Sequence, residues 1–124
     1  MLPANETILR MRFPVVFARI MQAGEQVSPD CYYDEQDEKG PRLFIRRGEN
    51  AFPAYGSRKP QRLIDRWFKN LNLTPESFYA VTGFGDGSHL RKFLSEIGPD
   101  STLMAAEKDP AILRETLSRF DCSD

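Results

Sequence analysis

Three glycines at alternate positions, Gly83, Gly85 and Gly87, follow directly on Ser77-Phe78-Tyr79-Ala80-Val81-Thr82, a run of strand-forming residues. Glycines at a strand-to-helix turn let the backbone bend sharply and approach a ligand. The helix that follows offers free N–H groups and the positive end of its dipole. Twenty residues past Gly87, Glu107 closes the next apolar run, Ser101 to Ala106. A carboxylate there is where ribose hydroxyls are met in a nucleotide-binding α/β sheet. The residue pattern therefore predicts a small-molecule nucleotide site at Gly83, Gly85, Gly87 and Glu107. The plainer reading makes the glycines a tight turn and Glu107 a solvated strand end.

The dinucleotide fingerprint G-x-G-x-x-G fails, because Ser88 stands where its third glycine belongs. The G-x-G-x-G spacing resembles instead the first motif of S-adenosylmethionine-dependent methyltransferases. Asp86, between two of the glycines, would set a negative charge against a diphosphate, so a hydroxylated or zwitterionic ligand is easier to accommodate. No catalytic residue can be named. His89 is the only histidine and cannot alone make a metal site. It reads as a polar, half-exposed residue of a helix's first turn. Asp109, just before Pro110, suits either a helix cap or a ligand contact. Cys31 and Cys122 form no CxxC or Cys/His spacing, so neither a metal nor a disulfide framework is expected. Reduced thiols point to the cytoplasm.

Positioning these residues requires an α/β chain. Asn5 is read as the N-cap of a first helix carrying Ile8, Leu9 and Met11. Pro14 opens a second stretch, with Val16, Phe17, Ile20 and Met21 on one face and Gly24 at its end. Residues 27–47 read as a hairpin around the acidic turn Asp34 to Glu38. In its second strand Leu43 and Ile45 share one face, and Arg42, Phe44 and Arg46 the other. Gly48 to Pro60 reads as a long connection. The period then becomes helical through Leu63, Ile64, Trp67, Phe68 and Leu71. After the glycine turn Leu90, Phe93, Leu94 and Ile97 form a second stripe, and Ile112, Leu113, Thr116, Leu117 and Phe120 a third. The fold class is α/β: N-terminal helices and a β-hairpin over 1–59, leading into an incomplete Rossmann-like parallel sheet over 60–124. A strand–helix–strand crossover makes its strands parallel. Ala80 to Thr82 and Leu103 to Ala106 should therefore run side by side, with the glycine bend and Glu107 at their shared C-terminal rim.

The chain has 124 residues, enough for a core without disulfides or metal. Seventeen basic and eighteen acidic residues nearly cancel, leaving no overall field to attract nucleic acid or an anionic membrane. Residues 42–69 do hold eight basic residues against Glu49 and Asp65, and Trp67, Phe44 and Tyr55 could supply stacking surfaces. Trp67 nevertheless lies on an apolar stripe and reads as core, so nucleic acid is not the expected partner. No stretch of 18 apolar residues exists, and no membrane partner is expected.

Val81-Thr82-Gly83-Phe84-Gly85-Asp86-Gly87-Ser88-His89-Leu90, followed by Leu103-Met104-Ala105-Ala106-Glu107-Lys108-Asp109-Pro110, resembles the core of the motility accessory factor (Maf) glycosyltransferases. Relatives of that family include 6-hydroxymethylpterin diphosphokinase-like proteins. Upstream, Asn5, Pro14, Lys39-Gly40, Asn50 and Pro60 fit the same arrangement loosely, although Gly56-Ser57-Arg58-Lys59 lacks the acid that the family carries before the proline. The resemblance implies transfer of a nonulosonic acid from a CMP donor, or of a diphosphate to a pterin. The chain would be the N-terminal portion of such an enzyme, contributing to a nucleotide-sugar or nucleotide site and inactive alone. Two alternatives stand beside it. One is an S-adenosylmethionine-binding, methyltransferase-like fragment. The other is a non-catalytic assembly module that pairs with a partner, or with a second copy as a homo-oligomer, through an unpaired sheet edge.

Overall fold

The computed structural model describes residues 1–25, 30–36, 41–55 and 59–123. The chain opens with α1 (Pro3–Arg12) and α2 (Pro14–Glu25), followed by strands β1 (Cys31–Asp34), β2 (Arg42–Arg47) and β3 (Asn50–Pro53). The second half is α3 (Pro60–Lys69), β4 (Phe78–Thr82), α4 (Ser88–Glu96), β5 (Thr102–Ala106) and α5 (Pro110–Leu117). This is the α/β class expected: N-terminal helices, an antiparallel sheet and an incomplete Rossmann-like parallel sheet.

Proline opens α1, α2, α3 and α5. At the first helical position its missing N–H costs nothing and its fixed φ suits the helix. Pro14 also separates α1 from α2, with Phe13 leaving helical geometry between them (φ −135°, ψ 56°). Gly24 does not end α2, which continues to Glu25.

β1 and β2 pair antiparallel in the register Cys31↔Ile45 to Asp34↔Arg42. The tip of this hairpin at 37–40, including Lys39-Gly40, lies outside the described residues. The two faces of β2 divide as its alternation demands. Leu43 is buried, whereas Phe44 stacks on Tyr32 across the pair (5.5 Å between centroids) and Arg46 lies 4.9 Å over the Tyr32 ring. The connection read after Gly48 contains a third strand. Arg47 pairs with Asn50, so Gly48-Glu49 is a two-residue hairpin loop, and Gly48 takes the left-handed φ of +62° such a loop requires.

β4 and β5 pair in parallel, from Phe78↔Thr102 to Thr82↔Ala106. One face of this pair packs on helices: Phe93 of α4 is buried with Tyr79, Phe68 and Trp67 around it at 5.0–6.0 Å between ring centroids. On the other face Phe78 and Met104 are at least half exposed, as is Leu94 on α4, which the helical stripe would have buried. α5 packs instead against α2 and β1, and Cys31, Tyr33, Leu43, Ala111 and Ile112 form the core between them.

Asn5 is not an N-cap. It is the third residue of α1, almost fully buried, and its side chain reaches the far end of the chain. Its Nδ2 donates to the carbonyls of Leu117 (2.9 Å) and Phe120 (2.7 Å), and its Oδ1 accepts the Cys122 N–H (2.7 Å). One side chain thus satisfies the last carbonyl of α5 and one just beyond the helix, while Leu2 N–H adds a bond to the same Leu117 carbonyl.

Truncating Asn5→Ala removes the side-chain partner of the part-buried Phe120 carbonyl and Cys122 N–H and leaves the Leu117 carbonyl with Leu2 N–H alone. It should lower the unfolding free energy by about 2–3 kcal/mol, read as a reduced urea midpoint at unchanged slope; a drop under about 0.5 kcal/mol contradicts the role. Burial, reinforced by nearby carboxylates headed by Asp109, pushes the Cys31 thiol from 9.0 up to about 11. Its thiolate fraction near pH 8 is then about a hundredfold below that of an unshifted thiol. Alkylation of the native chain followed by peptide mass spectrometry should therefore label exposed Cys122 well before Cys31.

Candidate functional site

The glycine turn joins the C-terminal end of β4 to the start of α4. Gly83, Gly85 and Gly87 have φ of +89°, +52° and +75°. Side chains rarely adopt this left-handed region, which accounts for three glycines within five residues. Gly83 N–H bonds the Ala106 carbonyl at 2.7 Å, extending the β4–β5 pairing into the turn. Gly87 is the N-cap of α4.

Glu107, directly after β5, faces this turn. Its Oε2 accepts the Phe84 N–H at 2.7 Å and its Oε1 the Asp109 N–H at 3.0 Å. Each carboxylate oxygen has two acceptor positions, so Glu107 braces the rim and can still receive a hydroxyl. Asp109 is a helix cap: its Oδ1 accepts the Ala111 N–H at 2.9 Å, opening α5.

A cavity of about 480 Å³ lies between the rim of β4–β5, α3 and the N-terminal sheet. Gly83, Gly85 and Glu107 line it together, as the sequence places them. Gly87 does not: a Cβ there would meet the Phe84 ring and the Thr116 methyl, on the side of α5. The opposite wall holds Leu43, Ile45 and Ala54 of the N-terminal sheet and its exit, and Tyr55. Trp67 is not a core residue. It is 38% exposed and borders the cavity beside His89, with their rings 6.1 Å apart.

His89 is part-buried in the first turn of α4 and both its ring nitrogens have partners. Nε2 lies 3.0 Å from the Gly83 carbonyl and Nδ1 2.8 Å from the Tyr55 hydroxyl. That hydroxyl also donates to Asp86 Oδ1 at 2.8 Å, and the same oxygen accepts the Ser88 N–H. Burial and the Asp86 carboxylate push the Tyr55 phenol far above its ordinary range, keeping it an O–H donor. With its nitrogens engaged, His89 shapes the turn. Pattern reading names neither Tyr55 nor the β2 wall as part of this site, since both come from the other half of the chain. Among the described residues no group of three or more His, Cys, Asp or Glu side chains could hold a metal ion. No helix among them is long and apolar enough to cross a membrane.

The parallel pair, the left-handed glycine turn and the carboxylate after β5 define the opening of a Rossmann-like sheet with a cavity at its C-terminal rim. Over 68 residues, 55% of this chain, it is 38% identical to ribosomal RNA small subunit methyltransferase H of Cupriavidus pinatubonensis (strain JMP 134 / LMG 1197). It is 45% identical over 48 residues to the protein of that name from Shewanella pealeana (strain ATCC 700345 / ANG-SQ1). The matched stretches span only 20% and 15% of those relatives' lengths. No protein-family model matches the chain, and no solved structure matches it. These relatives overturn the resemblance to Maf glycosyltransferases, and with it the CMP-sugar and pterin readings. The motif that carried that resemblance, a glycine turn plus Glu-x-Asp-Pro, is largely turn and cap chemistry, which different enzymes share.

Replacing Glu107→Gln keeps one acceptor oxygen and sets an amide NH₂ against one of the two backbone N–H donors. The unfolding free energy should fall by about 1–3 kcal/mol. A melting curve that superimposes on that of the unaltered chain shows that Glu107 does not brace the rim.

Proposed function

We propose that this chain is a methyltransferase-like unit that binds S-adenosylmethionine at the β4–α4 turn. The observation that carries the reading is the G-x-G-x-G turn set against a carboxylate on the neighbouring parallel strand, in a chain similar over half its length to proteins named methyltransferases. The charges at the rim favour this ligand class. Asp86 and Glu107 put two carboxylates beside the turn, which opposes a phosphate chain and suits a ligand carrying a sulfonium and an ammonium. The backbone of Gly83 and Gly85 would allow close approach, and Glu107 would accept a ribose hydroxyl in addition to the two N–H groups it already holds. The apolar wall from Leu43, Ile45 and Ala54 would exclude water from that end of the ligand.

Methyl transfer itself requires an acceptor nucleophile in line with the sulfonium, and the relatives' name supplies the class: RNA. The basic excess over 42–69 supports an RNA acceptor in place of the nucleic-acid-free partner set expected from net charge. Such a substrate implies a cytoplasmic setting. In this reading the described residues would supply the donor site.

Isothermal titration of the chain with S-adenosylmethionine, S-adenosylhomocysteine and CMP should give micromolar binding of the first two and none of the third. Glu107→Ala should weaken binding about 10- to 100-fold, the worth of a hydrogen bond to a charged group. Binding of CMP with no response to S-adenosylmethionine would sink the reading.

A further inference from the structure

The glycine turn is held from both sides by hydroxyls tied to the N-terminal part, by Tyr55 directly and by Tyr33 through Thr116. On one side Tyr55, just beyond β3, bridges Asp86 and His89, and His89 in turn bonds the Gly83 carbonyl. On the other side Thr116, with no exposed surface at all, donates to the Gly85 carbonyl at 2.6 Å. Its hydroxyl proton being so engaged, Thr116 must accept from the Tyr33 hydroxyl of β1, 3.0 Å away.

The proton count on the Tyr55 side is informative. A carbonyl oxygen only accepts, so His89 Nε2 must carry a proton. The phenol has a single proton, and it lies towards Asp86 Oδ1. His89 Nδ1 lies 2.8 Å from the same Tyr55 oxygen. The Gly83 carbonyl, His89, Tyr55 and Asp86 thus form one continuous hydrogen-bonded chain across the turn. Asp86 Oδ1 also accepts the Ser88 N–H, which suits a carboxylate.

We propose that Tyr55 and Tyr33 are positioning residues that clamp the glycine turn in its ligand-accepting shape, making the N-terminal antiparallel sheet a working part of the site. Three left-handed glycines in five residues have little intrinsic restraint, and ordering each of them opposes folding. The clamp fixes the Gly83 carbonyl, the Asp86 side chain and the Gly85 carbonyl, the points from which the turn could unwind. Tyr33 and Thr116 stand 83 positions apart, so the 68-residue stretch matched to the Cupriavidus protein cannot contain both. At least one of the two therefore lies outside that similarity. As a claim about ligand affinity the clamp rests on the S-adenosylmethionine reading; as a claim about the turn's shape it does not.

The full chain carrying Tyr55→Phe, Tyr33→Phe or Asp86→Asn separates the two. Tyr55→Phe should speed amide exchange of Gly87 and Ser88 at least tenfold while α5 amides keep their rates, and should lower S-adenosylmethionine affinity about tenfold. Asp86→Asn, which replaces the carboxylate that holds the Tyr55 hydroxyl, should speed the same amides while α5 amides keep their rates, a local change that general loosening would not produce. Unchanged exchange in Tyr55→Phe, or exchange that rises equally throughout α5, overturns the clamp even if S-adenosylmethionine binds. Faster exchange confined to the turn in a chain that binds no S-adenosylmethionine upholds the clamp and removes the proposed function. Should buried Tyr33→Phe fail to fold, part-exposed Tyr55 decides the matter.

Discussion

The rim of the parallel pair depends on one side chain with two occupied oxygens. Glu107 holds the backbone N–H of Phe84, in the turn after β4, and that of Asp109, in the turn after β5. Parallel strands have no hairpin to join them, so their C-terminal ends are tied only through the ladder and through contacts of this kind. With the Gly83 N–H continuing the ladder to Ala106, the two exits are held together, and everything at the site inherits its position from them. The left-handed turn, the start of α4 and the floor of the cavity all follow.

The second half was legible in the sequence because its signals are local. Strand, glycine turn, amphipathic helix, strand and capped helix each announce themselves within a dozen residues, and Asp109-Pro110 places the start of α5 to the residue. What escaped pattern reading depends on distant partners. Asn5 has the chemistry of a helix cap, but its partners lie more than 110 positions away, and it serves the end of another helix. Leu94 and Trp67 sit on correct helical stripes, yet α4 and α3 have neighbours on only part of each stripe. The third strand was hidden because it is only four residues long and follows directly on the Gly48-Glu49 loop. Of the site residues, Gly83, Gly85 and Glu107 meet at the cavity as the spacing suggests. Gly87 is separated from them by the geometry of its own cap, and Tyr55 was invisible as part of the turn because only the tertiary fold brings it there.

The shortness of the motif also explains why the resemblance to Maf glycosyltransferases misleads. Alternating glycines followed by a carboxylate and a proline-led helix describe a backbone solution, and any enzyme needing that turn converges on it. Identity extending over 68 residues constrains far more positions than a short motif does.

The charges around the turn carry the functional argument further than the fold does. A glycine turn at a helix N-terminus attracts anions by its dipole and free amides. Here that attraction is opposed, because Asp86 already takes the Ser88 N–H and Glu107 takes that of Phe84. A phosphate would compete with two fixed carboxylates for the same donors. A ligand offering hydroxyls and positive charge would complete their unfilled acceptor positions without displacing either. On the proposed reading the turn would keep the shape of a nucleotide site while favouring the opposite charge, which would suit a methyl donor better than a nucleotide-sugar.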